Sequence, residues 1–463
     1  MEHKSEVNKL GKERVGKLLI SLAIPAITAQ LVNMLYNIVD RIYIGHIPGV
    51  GANALTGVGI TFPIIMIISA FSALIGVGGA PRASIKMGQN KQEEAEQILG
   101  NCFVALIGIS IILTVLFFIF GKKLLLMFGA SAETLPYALS FLNIYILGTI
   151  FVQISLGLNT FISTQGFAKI SMLTVTIGAV VSLILDPIFI FGLNMGVQGA
   201  AAANVIAQAC SAIWTLKFLF GPKSKLRIRR KNMHLRKTII IPVLMLGSAP
   251  FVMQSTESLL NIAFNSSLQK YGGDMAVGAM TIMSSLMQIL NLPLNGLGQG
   301  AQPIMSYNYG AKNNDRVRNT FKLLILYSVS FALVFWIFMM VFPEVFVSIF
   351  STDVELSKVT VWAIRIYMAA AFLMSAQTAC QQTFIALGQA KSSLFLAILR
   401  KIILLIPLIF ILPNFFDNKV FAVFLAEPVA DFMAVSTTVT LFTIQFKKVL
   451  TKNINKETSE IAM

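Results

Sequence analysis

Charge is scarce in this sequence: only 12% of its 463 residues are Asp, Glu, Lys or Arg, against 56% hydrophobic. That proportion, with a mean hydropathy of +0.78, excludes a water-soluble chain of this length and defines a polytopic membrane protein. Cysteine is nearly absent. Cys102, Cys210 and Cys380 all fall in apolar runs without CxxC or Cys/His ligand spacing, which excludes a disulfide framework and a thiolate metal site. Histidine is equally rare, and His3, His46 and His234 all lie outside the apolar runs. With no GxSxG, no HExxH and no Asp pair in a protease motif, the chain is not expected to be an enzyme. Acid is scarcer than base, 20 residues against 36, for a net charge of +16.

What is abundant is apolar sequence. A bilayer core about 30 Å thick needs roughly 20 apolar residues per helix. Twelve such runs are present, near 18–44, 54–80, 98–120, 136–156, 170–191, 198–220, 239–265, 275–300, 321–342, 359–385, 392–412 and 419–446. The polar segment before the first run is long, and no AxA-type cleavage site follows it, so the first run is expected to be a retained helix. Orientation follows from Lys and Arg, which cytoplasmic loops retain. With the N-terminus inside, the inner segments hold 27 of the 36 basic residues and the outer loops 6, which places both termini in the cytoplasm. The net charge then reflects juxtamembrane loops facing anionic lipid, and no nucleic-acid partner is implied.

Shifting the chain by 222 residues brings GVGGAPRASIKMG (76–88), read as the loop after the second span, onto GQGAQPIMSYNYG (298–310), after the eighth. Gly76, Gly78, Pro81, Ser84 and Gly88 then meet Gly298, Gly300, Pro303, Ser306 and Gly310. The same shift brings QGFAKIS (165–171) onto LGQAKSS (387–393). An even number of spans per repeat predicts an all-α fold: twelve transmembrane helices in two six-helix lobes, related by a pseudo-two-fold axis along the membrane normal. The expected organisation is a cytoplasmic tail 1–17, an N-lobe 18–220, a basic linker 221–237, a C-lobe 238–447 and a cytoplasmic tail 448–463. Two similar bundles rocking about a central cavity are the architecture of alternating-access carriers.

Five carboxylates lie inside the runs: Asp40, Asp186, Glu257, Glu427 and Asp431. A charge at membrane depth costs roughly 2.5–3.5 kcal/mol on translocon scales, so each calls for a use. Counting at ~1.5 Å per residue puts Asp40 about 34 Å and Asp186 about 26 Å from the inner face, both in the outer half. Beside Arg41, Asp40 reads either as an interface charge or as part of a polar stripe with Asn33 and Asn37, in a helix where Pro25 offers a hinge. Asp186 has Ser182 one turn before it and Pro187 after it, whose missing N–H frees a carbonyl for an ion, a water or a side chain. At an offset of 220, two less than that of the flanking segments, the repeat aligns Asp186 and Pro187 with Ile406 and Pro407, so the proline is duplicated and the acid is not. Two carboxylates at one low-dielectric site disfavour joint ionisation, and a proton or a cation should neutralise them. In the second half, Glu257, Glu427, Asp431 and Arg400 admit two readings: an ion-pair cluster, or surplus negative charge lining a cavity for cationic substrates.

VDRIYIG followed by ALTGVGITFP, then LDPIFIFGLNMGVQGAAAANVIAQ and GLGQGAQPIMSYNYGAKN, together resemble the multidrug and toxic compound extrusion (MATE) family, especially its bacterial branch. The resemblance spans about residues 15–448 and implies a V-shaped cavity between two lobes in the cell membrane. It implies a secondary active antiporter, exporting organic cations and amphipathic toxins as a monomer in exchange for H+ or Na+, with no other cofactor. A MATE-like flippase for a lipid-linked precursor is the alternative, although such a cavity should be basic. Residue by residue, the resemblance assigns Asp40 and Asp186 as the coupling acids and the ligands of any Na+. Asn37, Asn159, Ser182 and Asn204 would complete that site, and Glu257 resembles a second-lobe acid of one branch.

Overall fold

The computed structural model describes residues 9–350 and 353–461. The expected inner tail therefore lies partly outside the described residues, as does His3. Among the described residues there is no strand. The helices are α1 (Val15–Gly45), α2 (Gly51–Gly88), α3 (Gln92–Met127), α4 (Leu135–Leu147), α5 (Thr149–Thr164), α6 (Ala168–Pro187) and α7 (Val197–Phe220). After the linker come α8 (Lys237–Gly310), α9 (Asn314–Val341), α10 (Pro343–Ser348), α11 (Val354–Tyr367), α12 (Met374–Ala386), α13 (Ala390–Ile398), α14 (Ile406–Ile411) and α15 (Lys419–Ile461).

Nine helical segments are long and apolar enough to span a membrane among the described residues, and two bent pairs, α4 with α5 and α11 with α12, each make one more. At 74 residues, α8 would run about 110 Å if straight, several times a bilayer core. It breaks at Gly273, whose φ of 62° belongs to the left-handed region that glycine enters without steric cost, so α8 is two spans joined by a hairpin. That arrangement is consistent with the twelve spans that the sequence predicts.

The repeat is written into backbone geometry as well as sequence. Asn90 and Lys312 both take positive φ, as do Gly166 and Gly388, and each pair is 222 residues apart. The two bent pairs turn by 58° and 49° at Gly148 and at 368–370, again at matching positions. Asn159 Nδ2 donates to the Ser171 carbonyl (3.1 Å), and Gln381 Nε2 donates to the Ser393 carbonyl (2.9 Å) at the matching place in the second half.

One expectation is corrected here. Residues 76–88 and 298–310 are not loops; they are the last turns of α2 and of α8. Glycine and proline weaken an isolated helix, yet tertiary packing overrides that preference, because these glycines let two helices touch backbone to backbone. A Cβ on Gly88 would stand 2.0 Å from the Tyr307 carbonyl oxygen, and one on Gly310 would stand 2.0 Å from that of Ile85. Gly78 abuts Val243 and Gly247 in the same way that Gly300 abuts Ala23. Residue i touches j′ and j touches i′, the signature of a two-fold interface.

The apolar cores follow the same division. Toward the linker end they mix residues from both halves, Ile75 and Leu99 with Val243 in one, Leu18 and Leu22 with Ile304 and Leu324 in another. Toward the opposite end each half keeps a core to itself, one around Ile64, Phe141 and Leu142, the other around Leu286, Tyr367 and Phe424. The apolar cores of the two halves thus join at the linker end and stay separate at the other. The linker is a docked strap: Gln165 Oε1 accepts from Ser224 Oγ and from the Lys225 and Leu226 amides, and Arg229 pairs with Glu96 at 2.7 Å. At the C-terminus, α15 continues through 448–461, so that part of the expected tail is helix.

Candidate ion and substrate sites

Three helices of the first half converge on one polar cluster at the end away from the linker. From α1 come Tyr36 and Asp40, one turn apart, while the expected Asn37 beside them is exposed and its Nδ2 donates to the Asn33 carbonyl at 2.6 Å. Helix α6 brings Ser182 and Asp186, then a wider π turn over Ile188–Gly192 that begins just after Pro187, where the i to i−4 ladder lacks a donor. Asn204 comes from α7. Asp186 is fully buried; its Oδ2 accepts from Ser182 Oγ at 3.1 Å, and its Oδ1 has no partner. Asp40 Oδ1 is likewise buried and unpartnered. Asn204 lies against Asp40, and the two carboxylates are near enough to repel each other.

Arg41 acts on Asp40 through space but does not bond it. Its guanidinium sits 5.5 Å above the Phe62 ring, and among the described residues it forms no ion pair with Asp40. Two carboxylates without a cation, in low dielectric, leave uncompensated charge that costs several kcal/mol. The surrounding donors are oxygens: carboxylate, the Ser182 hydroxyl, the Asn204 amide and the Tyr36 hydroxyl, which faces Asn37, Asp40 and Asp186. A hard monovalent cation suits that set, and so does a proton on either acid. No group of three or more His, Cys, Asp or Glu that would hold a transition metal occurs among the described residues. Tyr36 was not singled out from the sequence. The signal was available, since it precedes Asp40 by one turn on the same stripe.

Asn159 does not join this cluster, contrary to the expectation. Its amide clamps the turn between α5 and α6 through the Ser171 carbonyl, and Asp186 lies 15 residues farther along α6, about 22 Å away. The same clamp recurs as Gln381 on Ser393 in the half without the carboxylate pair, so its role is structural. Asn159→Ala is expected to cost about 1 kcal/mol of stability and to leave ion dependence of transport unchanged, as thermal unfolding and a transport assay would record.

In the second half, the charges seen in the sequence form a closed network. Arg400 reaches Asp431 Oδ1 through Nε (2.8 Å) and Glu427 Oε1 through Nη2 (2.7 Å). Glu427, Asp431 and Arg400 therefore do not line open space; all three are buried, which removes them from the cavity expected of them. Glu257 differs, because its side chain keeps 57% of its exposure while bonded to a buried Lys401. Lys401 and Arg400 are neighbours within a π turn over Leu399–Leu405, and their side chains diverge, Arg400 toward α15 and Lys401 toward α8.

Comparison with known proteins places this arrangement. The MatE family profile matches residues 25–188 and 250–411, one stretch in each half. The multidrug export protein MepA of Staphylococcus haemolyticus is 26% identical over 425 residues, covering 91% of this chain and 92% of its own. MepA of Staphylococcus aureus is 24% identical, covering 88% and 89%. Among solved structures, a MATE in the bent conformation superimposes with a TM-score of 0.91 at 21% identity, covering 97% of this chain and 99% of that one. The outward-facing conformation of a multidrug resistance MATE family transporter of the MOP superfamily matches with a TM-score of 0.88 at 20% identity, covering 96% and 98%. With duplicated halves and a profile match across most of its length, this chain belongs to the MatE family.

Proposed function

We propose that the protein is a secondary active multidrug exporter of the cell membrane, both termini cytoplasmic, which moves organic cations outward in exchange for H+ or Na+ taken up at Asp40 and Asp186. One observation carries this reading. Two membrane-buried carboxylates lie close enough to repel each other, each with an unpartnered oxygen and neither in an ion pair among the described residues, a charge arrangement that a transported ion would complete. Export of drugs is supported by the name of the MepA relatives, and a central cleft by cores that fuse only at the linker end.

In the proposed cycle, the cleft opens away from the cytoplasm, where Asp40 and Asp186 take up their ion. Neutralising the pair changes how α1 packs on α6 and α7. Pro25, which lacks an amide proton inside α1 and lies between the seam residues Ala23 and Ile27, is the hinge that transmits the change to the closed end. Drug and ion need not meet, because each biases one two-state arrangement of the lobes. A flippase for a pyrophosphate-linked lipid needs free cations in the cleft. Here Arg400 and Lys401 are buried and paired, and the accessible group is the Glu257 carboxylate.

Purified protein in proteoliposomes, given a fluorescent organic cation and separately imposed pH and Na+ gradients, tests the reading. Uptake driven by one gradient and absent without it is expected. Failure of both gradients to drive uptake, with folded protein in the membrane, would overturn it.

A further inference from the structure

Within the second half, the three membrane carboxylates have different partners and different access. Glu427 and Asp431 are held by Arg400 and sealed, whereas Glu257 is joined to Lys401 across a steep gradient of exposure, 57% for the carboxylate side chain and 6% for the amine. Lys401 also donates to the Met253 carbonyl at 2.7 Å, so the ammonium keeps one acceptor if it loses the carboxylate. The open side of Glu257 is not lipid. On its arm of α8, the exposed apolar residues Ile241, Leu259 and Ile262 mark the lipid face. At about 100° per residue, Glu257 points roughly 140–160° away from each of them, toward the protein interior where Lys401 lies.

We propose that Lys401 is a tethered counter-ion of Glu257 that an organic cation displaces, so that Lys401 sets how tightly the cleft holds positively charged substrate. This deepens, and rests on, the export reading above. In the empty cleft the buried ammonium neutralises the one accessible carboxylate. A soluble cation reaching Glu257 from the open side takes over that charge, and the amine remains on the Met253 carbonyl. The Arg400 cluster next to it does not exchange, because both its acids are sealed. A tethered competitor lowers affinity for every cationic substrate by the same factor, which limits retention of a cation that must be released on the far side.

Binding of tetraphenylphosphonium to the purified full-length protein tests this. Lys401→Met is expected to tighten binding about tenfold, by freeing Glu257. Lys401→Arg should weaken it, because a guanidinium holds a carboxylate by two parallel bonds. The double variant Lys401→Met/Glu257→Gln should lose the gain of the single one. Unchanged or weaker binding by folded Lys401→Met, or a gain that survives in the double variant, would overturn the proposal. Should Lys401→Met not fold, Lys401→Arg decides: unchanged affinity overturns it, weaker affinity supports it. If the wild-type chain and all variants bind no tetraphenylphosphonium, it is the export of organic cations that fails, and the proposal falls with it.

Discussion

Asp186→Asn is expected to reduce gradient-driven export by roughly one to two orders of magnitude while leaving the protein folded. The amide is nearly isosteric and still accepts from Ser182, whose hydroxyl lies 3.1 Å from Asp186 Oδ2. What it loses is the charge. A neutral side chain cannot exchange a proton at physiological pH or balance Na+, so the ion gradient no longer acts on the lobes. Because the substitution removes a buried, uncompensated carboxylate beside Asp40, thermal stability should hold or rise. Asp40→Asn should act in the same direction. Uptake of a fluorescent cation into proteoliposomes, paired with a melting curve, separates this from misfolding. Transport near the wild-type rate in both variants would contradict the assignment of the pair.

Gly88→Ala and Gly310→Ala should each open the linker end, and to a similar extent. Each added Cβ would meet a backbone carbonyl oxygen at 2.0 Å, that of Tyr307 for Gly88 and of Ile85 for Gly310, and backbone cannot rotate away as a flexible side chain would. Overpacking of this kind costs typically 1–3 kcal/mol. Here the cost falls on the closed arrangement alone, since lobes that separate relieve it. A shift of roughly 5- to 150-fold toward the linker-open arrangement follows. Distances between spin labels on α2 and α8 near the seam, in a cysteine-free background, report it. Gly108→Ala is the control, because its Cβ would meet nothing within 4 Å. Equal opening in the control, or none in the two seam variants, would refute the seam as the gate.

These residues also mark where sequence and structure part. Asp186 was legible because an acid within LILDPIFIFG has no bland explanation at membrane depth, and its absence from the aligned Ile406 set it apart from the duplicated scaffold. The seam glycines were visible as a matched series, yet their role was misread. Glycine serves loops and close helix crossings alike, and only the facing backbone tells the two apart. Asn159 shows the limit of resemblance. Residue type and position agreed with an ion ligand, but depth along α6 and the Gln381 counterpart make it a turn clamp. The pairing of Lys401 with Glu257 was not legible, because sequence spacing does not show which helices pack side by side. The spans themselves were easy to find, since an apolar run of about 20 residues has few alternatives in water or lipid.

The central claim is that the Asp40 and Asp186 pair and the cleft are two sites linked through one rearrangement of the lobes. Linkage is reciprocal, so an ion that drives drug out must weaken drug binding when it is raised at equilibrium. The direct measurement is the affinity of the purified protein for tetraphenylphosphonium across a titration of pH, and separately of Na+. Affinity in the wild-type chain should fall as one of these ions is raised, and that dependence should vanish in the Asp40→Asn/Asp186→Asn variant. The same ion dependence in the double variant would contradict the account.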